Sequence, residues 1–328
     1  MKKTRFLFLS VIFALIIVSS CKKEDPVVEA EELVNYVESV VDVGSLASYI
    51  TAENLLTLIN AQQAPLIIDI RASGDYTTGH IPGAVNETLG NLLTYVEANA
   101  SSMSDDIVIV CYTGQSAAFG TSLLKLAGYT NAKSLLFGMT SWHSDFDSWS
   151  GNVSNYYFTF LETTSNTKPD AGDLPTISTG FENGEDILDA RIDAMFTTGF
   201  GTYAIDATMV TNNPDNYYIV NYWPNSEYLN PGHIPGAYNY VPGQSLTLAT
   251  DLETLPTDKT IVVYCYTGQT SAFMAAYLGT LGYDVKSLKF GANSMFTGNL
   301  PKSNWTTGNI KDYAYESVSY THLRAHET

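Results

Sequence analysis

Cys111 and Cys265 are the residues of this sequence whose setting invites chemistry. Each opens a short loop, Cys111-Tyr112-Thr113-Gly114-Gln115-Ser116 and Cys265-Tyr266-Thr267-Gly268-Gln269-Thr270. Each follows a continuous apolar run, Ile107-Val108-Ile109-Val110 or Ile261-Val262-Val263-Tyr264, the pattern of a strand buried on both faces. Helical stretches over Ala117–Ala127 and Ser271–Leu281 come next, closed by Gly128 and Gly282. A cysteine so placed faces the crevice where open α/β sheets bind ligands. The turn aims successive backbone N–H groups inward, at the positive end of a helix dipole, and makes a nest for an anion. Such a nest favours the thiolate, the nucleophilic form. Gly114 and Gly268 permit backbone angles that a side chain would block. A free cysteine also serves as a small buried apolar group. Recurrence in one strand–loop–helix context favours chemistry over packing.

The elements around the two cysteines are themselves repeated. Gly79-His80-Ile81-Pro82-Gly83-Ala84 returns as Gly232-His233-Ile234-Pro235-Gly236-Ala237. Gly128-Tyr129 returns as Gly282-Tyr283, and Phe137-Gly138 as Phe290-Gly291, in the same order and at the same spacing. A period this long means tandem domains and not a solenoid. Pro65–Ile70 and Tyr218–Val220 supply further buried strands, and strands alternating with helices predict a parallel sheet covered on both faces. Amphipathic helices precede the copies, over Glu31–Val41 and Glu185–Met195, and a polar stretch from Asn152 to Asn183 reads as the linker.

Composition narrows the function classes. The 328 residues fit two domains, and 45% hydrophobic against 15% charged residues supplies ample core. Sixteen basic and 34 acidic residues give a net charge of −18, which excludes nucleic-acid binding through phosphate neutralisation. Three cysteines are too few and too far apart for a disulfide framework or a zinc cluster. The third, Cys21, ends a secretory signal: Lys2, Lys3 and Arg5, then an apolar run from Phe6 to Val18, then Ser19-Ser20. Val18-Ser19-Ser20-Cys21 resembles a bacterial lipobox, so Cys21 is the expected lipidation site of an exported lipoprotein of the cell envelope, held at the membrane by lipid chains. At the other end, Ser319–Thr328 has no period connecting it to what precedes it. His322 and His326 would form a metal pair only on a helix, and the segment reads as a sequence scar outside the fold.

With both Gly-His-Ile-Pro-Gly-Ala motifs, both Cys-x-x-Gly loops, the Phe-Gly pairs and Asp69-Ile70-Arg71 in place, the chain resembles a tandem rhodanese-type sulfurtransferase. The match covers about residues 45–150 and 199–305. The chain then divides into a signal (1–20), a tether and leading helix (21–44), the first domain (45–150), a linker and second leading helix (151–198), the second domain (199–305) and a tail (306–328). The resemblance implies an α/β fold with about five parallel strands per domain and helices on both faces. It implies a cysteine that accepts sulfane sulfur from a donor such as thiosulfate, becomes a persulfide, and passes the sulfur to a thiol or cyanide, with no cofactor. Tyr112, Thr113, Gly114, Gln115 and Ser116, with Tyr266, Thr267, Gly268, Gln269 and Thr270, would bind the persulfide, and Asp69 and Arg71 would support the first loop. The Gly-His-Ile-Pro-Gly-Ala histidines, His80 and His233, are expected to be architectural, and Trp142 and Trp223 to be core or rim.

Three departures from the family pattern bear on function. Neither loop contains a cation, so the nest and dipole must hold any anion and thiosulfate has weaker purchase. Asp69-Ile70-Arg71 becomes Asn221-Tyr222-Trp223 in the second copy, which predicts a less firmly held second loop and a more active Cys111. Both copies also keep a cysteine. A phosphatase or arsenate reductase needs an arginine closing a longer cradle, where Ala117 and Ser271 stand instead. The remaining alternative is a lipid-anchored binding or sulfur-carrier module without turnover.

Overall fold

Ile107–Val110 and Ile261–Tyr264 carry no charged residue and are stable only with both faces covered; the fold is built outward from them. The computed structural model describes residues 28–156 and 161–318. In the first half the chain forms α1 (Glu29–Val40), β1 (Tyr49–Ile50), α2 (Ala52–Asn60), β2 (Leu66–Asp69), α3 (Ser73–Thr78), β3 (Val85–Asn86), α4 (Leu92–Asn99), β4 (Ile107–Val110), α5 (Gln115–Leu126), β5 (Ala132–Leu135) and α6 (Met139–Trp142). The second half repeats the plan as α7 (Gly184–Thr198), β6 (Ala204–Ile205), α8 (Ala207–Asn212), β7 (Tyr218–Asn221), α9 (Asn225–Leu229), β8 (Tyr238–Asn239), β9 (Ile261–Tyr264), α10 (Gln269–Thr280), β10 (Val285–Leu288) and α11 (Asn293–Phe296).

The strands make two five-stranded parallel sheets, ordered β1-β5-β4-β2-β3 and β6-β10-β9-β7-β8. The expected α/β architecture, two domains each with five parallel strands, is therefore the observed one. β4 and β9 are central and fully buried. β2 lies beside β4 from Leu66↔Ile107 to Asp69↔Val110, and β7 beside β9 from Tyr218↔Ile261 to Asn221↔Tyr264. Both cysteines therefore leave the middle of a sheet at its carboxyl edge. Helices α5 and α10 begin earlier than expected, at Gln115 and Gln269, because Gly114 and Gly268 take left-handed angles (φ 82° and 75°) that turn the chain into its first helical residue.

The two halves share one core. Helices α5 and α10 pack on each other, and Ser122 Oγ donates to the Phe273 carbonyl at 3.0 Å. The leading helices α1 and α7 pack likewise; a Cβ on Gly184 would lie 2.3 Å from Tyr36 Cβ. Leu33, Val34 and Val37 join Ile187, Leu188 and Ile192 in a cluster that also contains Phe119 and Phe273.

Each half also sends its C-terminal extension across the other. After the first domain, Glu162 pairs antiparallel with His233 of the second; after the second, Glu316 pairs antiparallel with His80 of the first. Each histidine stacks on a tyrosine, Tyr76 at 3.8 Å and Tyr228 at 3.6 Å, with ring Nδ1 2.8 Å from that tyrosine's carbonyl. Both histidines are thus placed architecturally, at the seat of a strap. The polar stretch of the linker is correspondingly fastened: Asn166 to the Ala237 carbonyl, Lys168 to Asp251, Gly172 to the Glu253 carbonyl, and Thr179 to Glu29. The tail runs over the first domain, where Trp142 Nε1 donates to the Ala314 carbonyl and Lys311 pairs with Glu53. Cys21, His322 and His326 lie outside the described residues.

Candidate functional site

Cys111 leaves the carboxyl end of β4, and its sulfur meets the start of α5. The Gly114 N–H donates to Cys111 Sγ at 3.1 Å and the Ala117 N–H at 3.3 Å. Two amides converging on one sulfur at a helix N-terminus form the expected nest and stabilise negative charge there. In the second domain the Ser271 N–H donates to Cys265 Sγ at 3.3 Å, and the thiol itself faces Ser271 Oγ at 3.7 Å. The Ser271 hydroxyl is in turn bonded to Ser287 Oγ at 2.8 Å. Both thiols are only 2% exposed. A cleft of about 510 Å³ lies between α1, α4 and α7, is lined by Lys125 and Asp189 among others, and contains neither cysteine.

A second turn clamps each cysteine loop from outside. The Met139 N–H donates to the Cys111 carbonyl at 2.8 Å, and Thr140 Oγ1 to the Tyr112 carbonyl at 2.9 Å. Its counterpart uses the Ala292 N–H on the Cys265 carbonyl at 2.9 Å and Asn293 Nδ2 on the Tyr266 carbonyl at 2.8 Å. The Phe-Gly pairs are needed for this approach: a Cβ on Gly138 would stand 2.3 Å from the Cys111 carbonyl oxygen, and on Gly291 2.3 Å from that of Cys265.

Among the loop residues expected to bind the persulfide, the side chains divide. Tyr112 is 38% exposed and donates its hydroxyl to Asp75 at 2.5 Å. Tyr266 is buried and donates to Glu227. Burial first, and then the bonded carboxylate, hold both phenols above their ordinary pKa. Thr113 Oγ1 accepts from Gln115 Nε2 at 3.1 Å, Thr267 is buried, and Ser116 is half-buried. Thr270, the counterpart of Ser116, is bonded at 2.8 Å to Tyr49 of the first domain. Burial foremost, and then the closeness of Cys265, raise the pKa of Tyr49 and keep its hydroxyl protonated. Gln115 and Gln269 do not turn toward their own cysteines; both cross to the other domain, accepting at 2.9 Å from Phe290 N and Phe137 N.

Asp69 and Arg71 form a buried bidentate pair at 2.7–3.1 Å, and Arg71 also donates to the Gly79 carbonyl at 2.6 Å. The guanidinium carbon lies 5.7 Å from the Tyr112 ring. In the second domain Trp223 takes the place of Arg71 and stacks on Tyr266 at 4.4 Å, while Lys302 pairs with Glu227 at 2.7 Å and lies 5.4 Å from the Tyr266 ring. The expectation of a loosely held second loop therefore loses its basis: aromatic stacking and a strap lysine do there what the ion pair does in the first domain. Sequence reasoning missed Asp75, Glu227, Tyr49, Trp149, Trp305 and Lys302. The matching positions of Asp75 and Glu227 in the two repeats carried a signal; Tyr49 and Lys302 carried none. Trp149 and Trp305 stack at 5.2 Å on the seam between the domains, with Trp149 Nε1 donating to the Thr113 carbonyl at 3.1 Å.

A family model described as a rhodanese-like domain matches residues 51–145 and 180–295. The chain is 31% identical over 90 residues to the thiosulfate sulfurtransferase GlpE of Shewanella oneidensis, covering 27% of this chain and 87% of that protein. It is 27% identical over 93 residues to the putative sulfur carrier protein YrkF of Bacillus subtilis, covering 28% of this chain and 49% of the other. It is 29% identical over 89 residues to the adenylyltransferase and sulfurtransferase uba4 of Ogataea parapolymorpha, covering 27% of this chain and 23% of the relative. The chain thus spans less than half the length of the last two relatives. Among solved structures, a thiosulfate sulfurtransferase from Pseudomonas aeruginosa is similar over 85% of this chain and 49% of its own, with 20% identity and a TM-score of 0.30.

Proposed function

The chain belongs to the rhodanese-like domain family, and on that premise we propose that it is a sulfurtransferase working through cysteine persulfides at Cys111 and Cys265. The observation that carries the reading is the pair of N–H donors from Gly114 and Ala117 on Cys111 Sγ, at the carboxyl end of a central strand. The thiolate attacks the outer sulfur of thiosulfate, the sulfur–sulfur bond of the donor breaks, and sulfite leaves with the electron pair. The persulfide anion then rests on the same amides. A thiolate acceptor attacks its terminal sulfur, carries that sulfur away and returns Cys111 to the thiolate; no electron is gained or lost overall.

Two features favour a second reading, in which the chain carries sulfur delivered by another persulfide without turning over thiosulfate. Neither loop holds a cation, and Arg71 is committed through Nε and Nη2 to Asp69 and the Gly79 carbonyl. Mass spectrometry separates the readings. Incubation with thiosulfate should add one sulfur atom at Cys111, with sulfite released; loading only from a low-molecular-weight persulfide supports the carrier, and loading from neither overturns both.

We further propose that lipid on Cys21 anchors the protein in the cell envelope. The apolar run ending in Ser19-Ser20-Cys21 supports this. Cys21→Ser should abolish lipid labelling and release the protein from the membrane fraction; unchanged membrane retention overturns the anchor.

A further inference from the structure

Gln115 and Gln269 stand at the first positions of α5 and α10, directly after the glycines of the cysteine loops. They are 3% and 0% exposed, a setting in which an amide is expected to find partners. Each finds its main partner in the other domain. Gln269 Oε1 accepts from the backbone N–H of Phe137, and Gln115 Oε1 from that of Phe290, both at 2.9 Å. Phe137 and Phe290 hold positive φ angles of 62° and 59°. They lead straight into Gly138 and Gly291, the turns that clamp the cysteine carbonyls.

The contact is reinforced on the loop itself. A Cβ on Gly114 would lie 2.1 Å from Gln269 Oε1, and a Cβ on Gly268 would lie 2.6 Å from Gln115 Oε1. Gly114 is the residue whose N–H donates to Cys111 Sγ. The loop of Cys111 is therefore held between its own Phe-Gly turn and a glutamine belonging to the loop of Cys265, and the reverse is equally true.

We propose that Gln269 is a positioning residue for Cys111 and Gln115 a positioning residue for Cys265, so that each sulfur-accepting loop is set by the opposite domain. The assignment rests on the sulfur-transfer reading for its consequence and on the crossed hydrogen bonds for its geometry. The two latches are unequal. The loop of Cys265 has a second tie to the first domain, Tyr49 on Thr270, whereas Gln269 Nε2 is buried with no hydrogen-bond partner among the described atoms. Loss of Gln269 should therefore be felt more at Cys111 than loss of Gln115 at Cys265.

The crossed pattern is what a packing role would not produce. Gln269→Met and Gln115→Met keep the side-chain length and remove the acceptor. The full chain is treated with thiosulfate and sulfur loading is read separately at each cysteine; parallel samples give the iodoacetamide alkylation rate of each. Gln269→Met should lower loading at Cys111 by about threefold or more and leave Cys265 within about twofold, the size of one lost hydrogen bond. Gln115→Met should show the converse, more weakly. Gln269→Glu and Gln115→Glu, which retain an oxygen acceptor, should restore loading. A larger effect in the substituted residue's own loop, or equal effects at both cysteines, overturns the assignment. If the unsubstituted chain takes up no sulfur, the sulfurtransferase reading has failed, and the crossed pattern is scored in the alkylation rates alone; its absence there overturns the latch independently. Should a methionine variant not fold, amide exchange in the unsubstituted chain decides: Phe137 and Phe290 must be protected, and fast exchange at both overturns the proposal.

Discussion

What points at each sulfur differs between the two copies. Cys111 Sγ accepts from two backbone amides, while Cys265 Sγ accepts from one and faces the Ser271 hydroxyl. An additional charge-stabilising donor favours the anionic persulfide. The neighbouring tyrosine also differs, with Tyr112 38% exposed and Tyr266 9%, so the first loop is the more open to a donor. Cys111→Ser should therefore remove more sulfurtransferase activity than Cys265→Ser, by about threefold or more if one hydrogen bond separates the sites. Sulfite release from thiosulfate with a thiol acceptor measures it, and a larger loss in Cys265→Ser sinks the argument. The expectation made from Asp69 and Arg71 reaches the same ordering, but the donors at the sulfur now carry it.

At the scale of elements, the turn after β5 is the most tightly fitted piece of the site. Gly138 has φ 60° and no room for a Cβ beside the Cys111 carbonyl, a backbone atom that cannot swing away. Gly138→Ala should destabilise the protein by about 1–3 kcal/mol in urea unfolding and depress loading at Cys111; wild-type stability would show that the turn relaxes freely. Helix α7 presents a different element-scale prediction. Asp189 has its pKa raised, first by burial and then by Glu185, Asp193 and Asp186 on the same helix. The folded state thus holds the Asp189 proton more tightly than the unfolded chain does. Its ionisation opposes folding: stability is higher below the folded pKa and falls as pH rises from the ordinary 3.8 through that raised value. Asp189→Asn should raise the melting temperature at neutral pH and lose that gain near pH 3.8. An equal gain at both pH values would assign it to something other than charge.

For the whole molecule, the exchanged straps and shared core make the two repeats inseparable. The stretch 169–173 is exposed and is held by the Gly172 N–H on the Glu253 carbonyl, whereas Glu162, Asn166 and Lys168 before it and Thr179 after it are fastened to other elements through their side chains. Limited proteolysis should first cut near residues 169–173, and the two fragments should still run as one species in native gel filtration while separating under denaturing conditions. Two independent native fragments would mean that the α5–α10 and α1–α7 contacts are too weak to hold the halves together.

The repeat, the buried strands, the leading helices and the cysteine loops were all legible in the sequence, because apolar periodicity, glycine placement and motif recurrence act over a few neighbouring residues. The α/β class followed from strands alternating with helices. Other features join residues far apart in the chain, and no local pattern records them: Tyr49 on Thr270, Lys302 beside Tyr266, and Glu162 and Glu316 crossing to His233 and His80. Gln115 and Gln269 make the division plain. Their place in each loop is written beside the cysteine, yet the direction of each side chain is decided only when the second domain packs against the first and offers an unpaired backbone N–H at Phe290 or Phe137.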